Sequence, residues 1–430
     1  MQVNFSFFKK KCHGAKKIKY FISSVLNIHV MRIFLETRWQ TDSCSWLVVM
    51  DTHHSLRSDP PFDLVVTGGG TGGHVYPGIS VAKEVRRRLP SSSILFIGTQ
   101  RGLESKIVPS EGFAFEAVDV QGVVSKGMVQ QLKALWKLPF AVRRAKKYLK
   151  EFRPHVVFGT GGYVSVPALY AAYLLHIPTV TLEPNRRPGL ANKLLSKSVD
   201  RIAICFEESA AAFPAEKIVF TGNPIRKEFT VIGRIPPPDK GTKCNILVVG
   251  GSLGAGSLNQ AMIEALDDLT GYRDHLVFTH QTGASGYEDI KAGYEQKGFR
   301  AEVVPYIENI PKMYAKSHLI ICRAGASTVA ELQASHRPAI LVPYPHGDRH
   351  QEFNAQALVD KGLAKMILQK YLSGKTLADA ILQCLFHPDA VAQVWSNTHE
   401  MDEKSAAEKI VDVCSELAQI WKHSHAKMPA

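Results

Sequence analysis

The 430 residues suit two or three domains at roughly 100 to 200 residues each, which excludes a small scaffold held by staples. With 45% hydrophobic and 21% charged residues, a chain disordered over most of its length is excluded as well. The net charge of +13 is unevenly placed: residues 1–35 carry seven Lys/Arg, Val120 to Lys150 carries eight and no acid, and this leaves 37 basic residues of 52 against 39 acidic. A near-neutral protein with two basic segments does not match a nucleic-acid binder charged over its whole surface. Seven cysteines stand singly, without a CxxC or a short Cys/His spacing, which points to a reducing cytosol and away from a disulfide framework or a zinc ribbon.

Residues 1–60 are basic and then mixed, with no clean apolar stretch and no A-x-A-like cleavage site. They are expected to form a poorly ordered extension, with Met31 and Met50 as later starts. The first fold element is Phe62-Asp-Leu-Val-Val-Thr67, a β-rich run that enters Gly68-Gly-Gly-Thr-Gly-Gly-His74 and then a helical pattern from Pro77 to Arg88. Lys126 to Lys150 alternates apolar and basic residues at near-helical spacing, with Pro139 allowing a break between two helical pieces. This segment fits a core helix with a solvated basic face, or one lying on a membrane: Leu132, Leu135, Trp136 and Phe140 would enter the interface while Lys133, Lys137, Arg143, Arg144, Lys146 and Lys147 meet anionic headgroups. Val156 to Leu182 lacks Asp, Glu, Lys and Arg, but Gly159, Gly161, Gly162, Pro167 and Pro178 punctuate it into strand, turn, helix and strand, so it does not read as a transmembrane helix.

Further β-rich runs (Ile94 to Ile97, Arg201 to Ile204, His275 to Thr279, Ala301 to Pro305, Leu319 to Cys322, Ala339 to Val342) alternate with helical stretches, which predicts parallel sheets. The grammar of the first loop returns 182 residues later in Asn245-Ile-Leu-Val-Val-Gly-Gly-Ser-Leu-Gly-Ala-Gly256, followed by a helix from Leu258 to Leu269. Two doubly wound α/β domains, 61–228 and 242–402, are therefore predicted, separated by the Pro/Gly-rich Ile232 to Gly241. Ligands of such sheets bind beyond the carboxyl ends of the strands, so the site is expected in the cleft where the domains face each other.

Gly68, Gly70 and Gly73 satisfy the dinucleotide pattern, but the next strand ends in Ile97-Gly-Thr-Gln100 without the acid that a ribose would need, which argues against a nicotinamide oxidoreductase. Five glycines in six positions show that a backbone approaches something closely or takes positive φ. His74 can act as a general base or be a packed or capping residue. Ser252 at the second loop can hold a phosphate or serve as a plain N-cap. Glu331, in the helix opened by Cys322-Arg-Ala-Gly-Ala-Ser-Thr-Val-Ala-Glu331, can accept both hydroxyls of a ribose or lie on a surface. The polar loop from Val342 to Asn354 offers Asp348, His350, Gln351 and Asn354 to sugar hydroxyls. There is no D-x-D motif, so no metal is assigned, and a nucleotide-sugar diphosphate is expected to be neutralised by Arg226, helix N-termini and loop amides.

Taken in order, Thr67-Gly-Gly-Gly-Thr-Gly-Gly-His-Val-Tyr-Pro-Gly78, Gly159-Thr-Gly-Gly-Tyr-Val-Ser165, Glu183-Pro-Asn185, Gly222-Asn-Pro-Ile-Arg226, Gly250-Gly-Ser-Leu-Gly-Ala255, Cys322 to Glu331 and Asp348-Arg-His-Gln351 resemble the MurG family over some 350 residues from Leu64 onward. These are bacterial transferases that move N-acetylglucosamine from UDP onto undecaprenyl-diphospho-muramoylpentapeptide. The resemblance implies a GT-B fold: two Rossmann-like domains, the donor UDP-GlcNAc mainly on the second, and a final helix at 403–422 crossing back to the first. It implies inverting attack of the C4 hydroxyl of lipid I on C1 of the donor sugar, giving lipid II and UDP for peptidoglycan synthesis. No cofactor is implied. It also implies that Thr71, Gly72 and Gly73 lie by the donor and acceptor diphosphates and that His74 is the catalytic base. Tyr163 would sit on the acceptor side, Asn185 would contact the donor sugar and Arg226 and Ser252 the phosphates. Ile307 and the segment Ala326, Ser327, Thr328, Val329 and Ala330 would meet the uracil, Glu331 the ribose and Gln351 the sugar hydroxyls.

Because the acceptor is a membrane lipid, the resemblance favours docking of Lys126 to Lys150 on anionic lipid, a peripheral position on the cytoplasmic face of the inner membrane, and partners in a cell-wall synthesis complex. Two departures stand out. Leu182-Glu-Pro-Asn185 replaces His-Glu-Gln-Asn, and His350-Gln351 replaces Gln-Gln. The alternatives are another GT-B transferase with a lipid acceptor such as diacylglycerol, a sugar-nucleotide epimerase of the same architecture, for which the polar loops are poor in acids, and a catalytically silent UDP-sugar module.

Overall fold

The structure, a computed structural model, describes residues 60–120, 128–233, 235, 238, 241–251, 254–386 and 404–425, and leaves the side chains of 128–135 and of residue 425 undescribed. The expected N-terminal extension, Lys126, Ser252 and much of the linker lie outside the described residues.

The first sheet has seven parallel strands: β1 (Leu64–Thr67), β2 (Ile94–Gly98), β3 (Ala114–Ala117), β4 (Val156–Gly159), β5 (Thr179–Glu183), β6 (Arg201–Ile204) and β7 (Ile218–Phe220), in the order β3-β2-β1-β4-β5-β6-β7. The second has six: β8 (Cys244–Val249), β9 (Leu276–Gln281), β10 (Arg300–Val304), β11 (Leu319–Cys322), β12 (Ala339–Leu341) and β13 (Ala364–Met366), in the order β10-β9-β8-β11-β12-β13. Each order reverses at its first strand. β1 pairs with β2 through Leu64↔Ile94 and with β4 through Leu64↔Val156, while β8 lies between β9 and β11. The two glycine loops therefore leave their sheets at the switch points, where neighbouring connections diverge and open a crevice.

Strands covered on both faces lose the polar alternation, and β1 is buried at all four positions. Leu64 and Val66 join a cluster with Ile79 and Val85, whereas Val65 joins the opposite one with Ala145 and Leu149. The helix Ala406–His425 sends Ile410, Val411, Cys414 and Leu417 into the first of these clusters, and Arg88 meets Asp412 at 2.7 Å beside it. Burial also pushes the thiols of Cys244 and Cys384 up to about 11 and that of Cys414 to about 12.

Two local expectations are corrected and three strands are added. The first helix runs Gly72–Arg88, five residues ahead of Pro77, which sits inside it. The helix Met128–Phe152 is continuous through Pro139, where no break occurs: Pro139 is exposed, so the carbonyl deprived of its donor can bond water. Strands β3, β7 and β13 complete sheet edges that the sequence pattern did not reveal. They are three or four residues long, and Glu116 and Lys365 interrupt two of them.

Candidate functional site

The first glycine loop is packed against protein from beneath. A Cβ at Gly68, where φ is +146°, would lie 1.9 Å from Thr160 Oγ1, and one at Gly69 would lie 2.2 Å from the carboxyl carbon of Glu104. The close approach inferred from the glycines is thus in part an approach to Thr160 and Glu104. Glu104, 1% exposed, accepts from Gly70 N at 2.8 Å and from Thr99 N and Oγ1 at 2.8 and 2.7 Å. Thr71, Gly72 and Gly73 follow at the mouth, where the first turn of the helix leaves amides without intrahelical partners. Tyr163 comes to the same place, its hydroxyl 3.7 Å from where a Gly70 Cβ would be.

His74 is held by a 2.9 Å hydrogen bond between Nδ1 and the Thr160 carbonyl. A carbonyl only accepts, so Nδ1 carries the proton and Nε2 keeps its lone pair. Nε2 faces Gly162, where a Cβ would lie 3.1 Å away and φ is +74°. Burial lowers the His74 pKa below 6.5 against the opposing pull of the Thr160 bond, Glu183 and Glu104, and His350 from the second domain adds to the lowering. The imidazole is therefore both anchored and, at neutral pH, a free base.

Glu183, also 1% exposed, gathers the loop after β5: it accepts from Asn185 N and Nδ2, from Gly189 N and from Asn192 Nδ2 at 2.9 to 3.1 Å. Asn354 of the second domain then donates to Asn185 Oδ1 and accepts from Arg186 N, both at 3.0 Å. Asn354 is 0% exposed and its amide is committed to this joint, so the expectation that it meets sugar hydroxyls is corrected. Asn185 keeps one amide hydrogen and one oxygen lone pair for a ligand. Arg186 reaches Asp360 at 2.9 Å and Glu208 at 2.7 Å, and Arg187 donates to the Asp348 carbonyl at 3.2 Å.

On the second domain, the Gln281 side chain ties Ile307 N (2.9 Å) to the Gly251 carbonyl (2.8 Å), which fixes the Ile307 loop to the second glycine loop. The helix Ala326–Ser335 presents Ala326, Ser327, Thr328 and Ala330 at its start, but Val329 is 2% exposed and packs in the core with Leu332. The expected contact of Val329 with a base is therefore not one its side chain can make. Glu331 lies 3.4 Å from Arg226 Nη2, and burial raises its pKa to about 7 against the pull of that guanidinium. Arg226 lies over the rings of Tyr76 and Phe229, and its Nε, like both polar side-chain atoms of Asn223, is buried without a hydrogen-bond partner among the described residues.

At the start of the helix His350–Asp360, Gln351 Oε1 accepts from Ala324 N and Tyr344 N, which leaves the Gln351 amide donors for a ligand. Asp348 Oδ1 accepts from His346 Nδ1 at 3.0 Å and from His350 Nδ1 at 2.6 Å. These three side chains satisfy one another, so Asp348 is less open to sugar hydroxyls than its loop position suggests. Glu104, Thr160, Gln281 and the joint made by Asn354 were not picked out from the sequence. Gly98 and Gly102 shortly before an acid were a usable signal for Glu104, but partners 34 to 169 residues apart leave none.

Away from the cleft, the helix Met128–Phe152 buries Ala141, Ala145 and Leu149 and exposes Arg143, Arg144 and Lys147. At its earlier end Trp136 and Phe140 are 76% and 64% exposed, and Tyr170, Tyr173 and Leu174 of the neighbouring helix are exposed too. Among the described residues no helix is long and apolar enough to cross a membrane.

Residues 64–204 match the model of the glycosyltransferase family 28 N-terminal domain, and residues 245–410 match that of the C-terminal domain. The chain is 42% identical over 360 residues to a Myxococcus xanthus protein named UDP-N-acetylglucosamine–N-acetylmuramyl-(pentapeptide) pyrophosphoryl-undecaprenol N-acetylglucosamine transferase, covering 83% of this chain and 94% of that one. It is 40% identical over 354 residues to the protein of that name from Geotalea uraniireducens, covering 81% and 96%. Among solved structures, MurG of Acinetobacter baumannii superposes with a TM-score of 0.66 at 30% identity, covering 83% of this chain and all of that one. A putative UDP-N-acetylglucosamine 2-epimerase from Listeria monocytogenes, at 12% identity and a TM-score of 0.60 over 86% and 98%, shares the fold alone.

Proposed function

Because the chain belongs to glycosyltransferase family 28, we propose a reading of its cleft in which each wall has its own substrate. The protein is a UDP-GlcNAc-dependent glycosyltransferase of peptidoglycan synthesis, transferring N-acetylglucosamine to lipid I to give lipid II and UDP. The first domain takes the acceptor and the second the donor. The C4 hydroxyl of the muramoyl sugar attacks C1 of the donor sugar on the face opposite UDP, its proton passes to His74 Nε2, and the bond from C1 to the diphosphate oxygen breaks with inversion. The observation that carries this is the His74 imidazole, tethered through Nδ1 to Thr160 and bare at Nε2, in a cleft it shares with the second domain.

The chief electrostatic demand on the site is to stabilise the charge that develops on the leaving diphosphate. Arg226 and the N-termini of the helices Gly256–Asp268 and Ala326–Ser335 meet it, Ser252 adds a hydroxyl, Glu331 takes the ribose, Asn185 and Gln351 take sugar hydroxyls, and the Ile307 loop and the Ala326 segment border the base. Thr71, Gly72, Gly73 and Tyr163 face the acceptor diphosphate.

The exposed Trp136 and Phe140 beside Arg143, Arg144 and Lys147 support docking of the first domain on anionic lipid at the cytoplasmic face of the inner membrane, next to other enzymes of cell-wall synthesis that serve cell shape and division. The deciding assay is transfer of radiolabelled sugar from UDP-GlcNAc, with UDP-galactose and UDP-glucose in parallel, onto a short-chain lipid I analogue. A disaccharide-lipid product from UDP-GlcNAc alone is expected. Transfer only to diacylglycerol, or saturable UDP binding without any product, would overturn the reading.

A further inference from the structure

We infer that Glu104 is a positioning residue for the transfer: its buried carboxylate takes up the Gly70 amide and so aims the following amides, those of Gly72 and Gly73, at the acceptor diphosphate. The inference rests on the reading that the first glycine loop faces that diphosphate. Three glycines, on the first loop, at the end of β2 and in the turn after it, make room for this one group, because a Cβ at Gly69, Gly98 or Gly102 would lie 2.2, 2.6 or 2.0 Å from an atom of its side chain. Such housing explains burial but not charge.

A carboxylate under an anion-binding loop opposes the anion, and burying it is costly unless hydrogen bonds repay the loss of water. Two of its three bonds, from Thr99 N and Oγ1 to Oε1, a neutral glutamine oxygen would accept equally well. The third, from Gly70 N to Oε2 at 2.8 Å, it would not, because an amide group in that place presents N–H to N–H. Gly70, at φ +86°, is thus the residue for which glutamate rather than glutamine is needed. Its amide is withdrawn from any ligand, and the chain then turns so that the next amides, at the start of the helix Gly72–Arg88, point outward without intrahelical acceptors. Glu104 also lies close enough to His74 and Tyr163 to act on the titration of both, which puts it directly beneath the acceptor side of the cleft.

The test is Glu104→Gln in the full chain, read by steady-state kinetics with each substrate varied and by amide hydrogen exchange of the 68–74 segment. The acceptor KM is expected to rise about tenfold, the order for losing one charge-assisted hydrogen bond, with the UDP-GlcNAc KM within about twofold and exchange in the segment faster. Thr99→Val, which removes a hydroxyl bond but spares Gly70, should move the acceptor KM by less than about threefold. Gly69→Ala, whose methyl presses on the carboxylate, should reproduce the acceptor-specific defect if Glu104→Gln does not fold. The inference is overturned by an unchanged acceptor KM in folded Glu104→Gln, by donor and acceptor KM rising together, or by Thr99→Val matching the glutamine variant. No product from the unaltered chain would sink the functional reading instead, and the exchange measurement would still report whether Glu104 holds the loop.

Discussion

Ser327 Oγ reaches across the cleft to the Gly73 carbonyl at 3.3 Å, and that carbonyl is free to accept because the residue four positions on is Pro77. A helical carbonyl normally receives the N–H of residue i+4, and proline has none. The proline inside the first helix thus leaves an acceptor at the cleft that the opposite domain uses.

Ser327→Ala and Pro77→Ala should therefore act on the same bond, the first by removing the donor and the second by supplying a competing N–H. Each is expected to raise the donor KM about 2- to 10-fold, the range for one neutral hydrogen bond. The double variant should be no worse than either alone, and a double-mutant cycle that comes out additive would refute the connection.

His74→Ala is expected to lower kcat by about 10²- to 10⁴-fold with donor affinity kept. Since burial holds the imidazole below its usual 6.5, the unaltered enzyme at saturating donor should lose kcat on the acid side of that value, as Nε2 becomes protonated. The alanine variant should lack that acid limb. Near-normal turnover would remove His74 from the mechanism.

Glu331 offers a pH signature with a definite sign. Its folded pKa of about 7 stands above the usual 4.5 because burial disfavours the carboxylate, so the stability contributed by the protonated form is complete below 4.5 and is lost as pH rises through about 7. In the absence of ligand, the difference in unfolding free energy between the wild type and Glu331→Gln should therefore shift by roughly 1–3 kcal/mol across that window, against the wild type. UDP affinity should move the other way, strengthening from pH 6 to 8 in the wild type as the carboxylate becomes available to the ribose, and staying flat in Glu331→Gln. Denaturant unfolding between pH 4.5 and about 7 checks the first arm, and titration calorimetry with UDP from pH 6 to 8 checks the second.

For the basic face, charge reversal at Arg143, Arg144, Lys146 and Lys147 should weaken binding to anionic vesicles by about 1 kcal/mol per charge and leave transfer to a water-soluble acceptor analogue intact. Replacing Trp136 and Phe140 by serine should weaken it further. Vesicle co-sedimentation that does not change would dismiss docking through this helix.

The two Rossmann-like units were legible because their determinants are local: an apolar run, a glycine loop and a periodic helix recur after Phe62 and after Asn245. His74 and Glu331 could be picked out because they stand by such loops and in the helices they open, whereas Asn185 was pointed to only by the family resemblance. What escaped was the support beneath them. Glu104 meets Gly70 34 residues away and Asn354 meets Asn185 169 residues away, and a spacing of that size carries no periodicity to read. Pro77 and Pro139 misled for a related reason. The cost of proline in a helix depends on what can satisfy the orphaned carbonyl, which at Gly73 is a serine of the other domain, while Pro139 stands exposed where water can reach the helix.

The joint at Asn354 has one more consequence, for how the cleft responds to its ionic surroundings. Around Asn354 and Ser327 the walls meet through uncharged partners, Asn354 with Asn185 and the Arg186 amide, and Ser327 with Gly73, while the charged contacts of Arg186 with Asp360 and of Arg187 with the Asp348 carbonyl sit more openly toward solvent. Salt or a charged lipid surface can screen the outer pairs but has little purchase on the inner ones. Added salt should thus change how readily the walls separate while leaving unaltered the alignment they adopt when together, so that the gap breathes with ionic strength and always shuts in the same register.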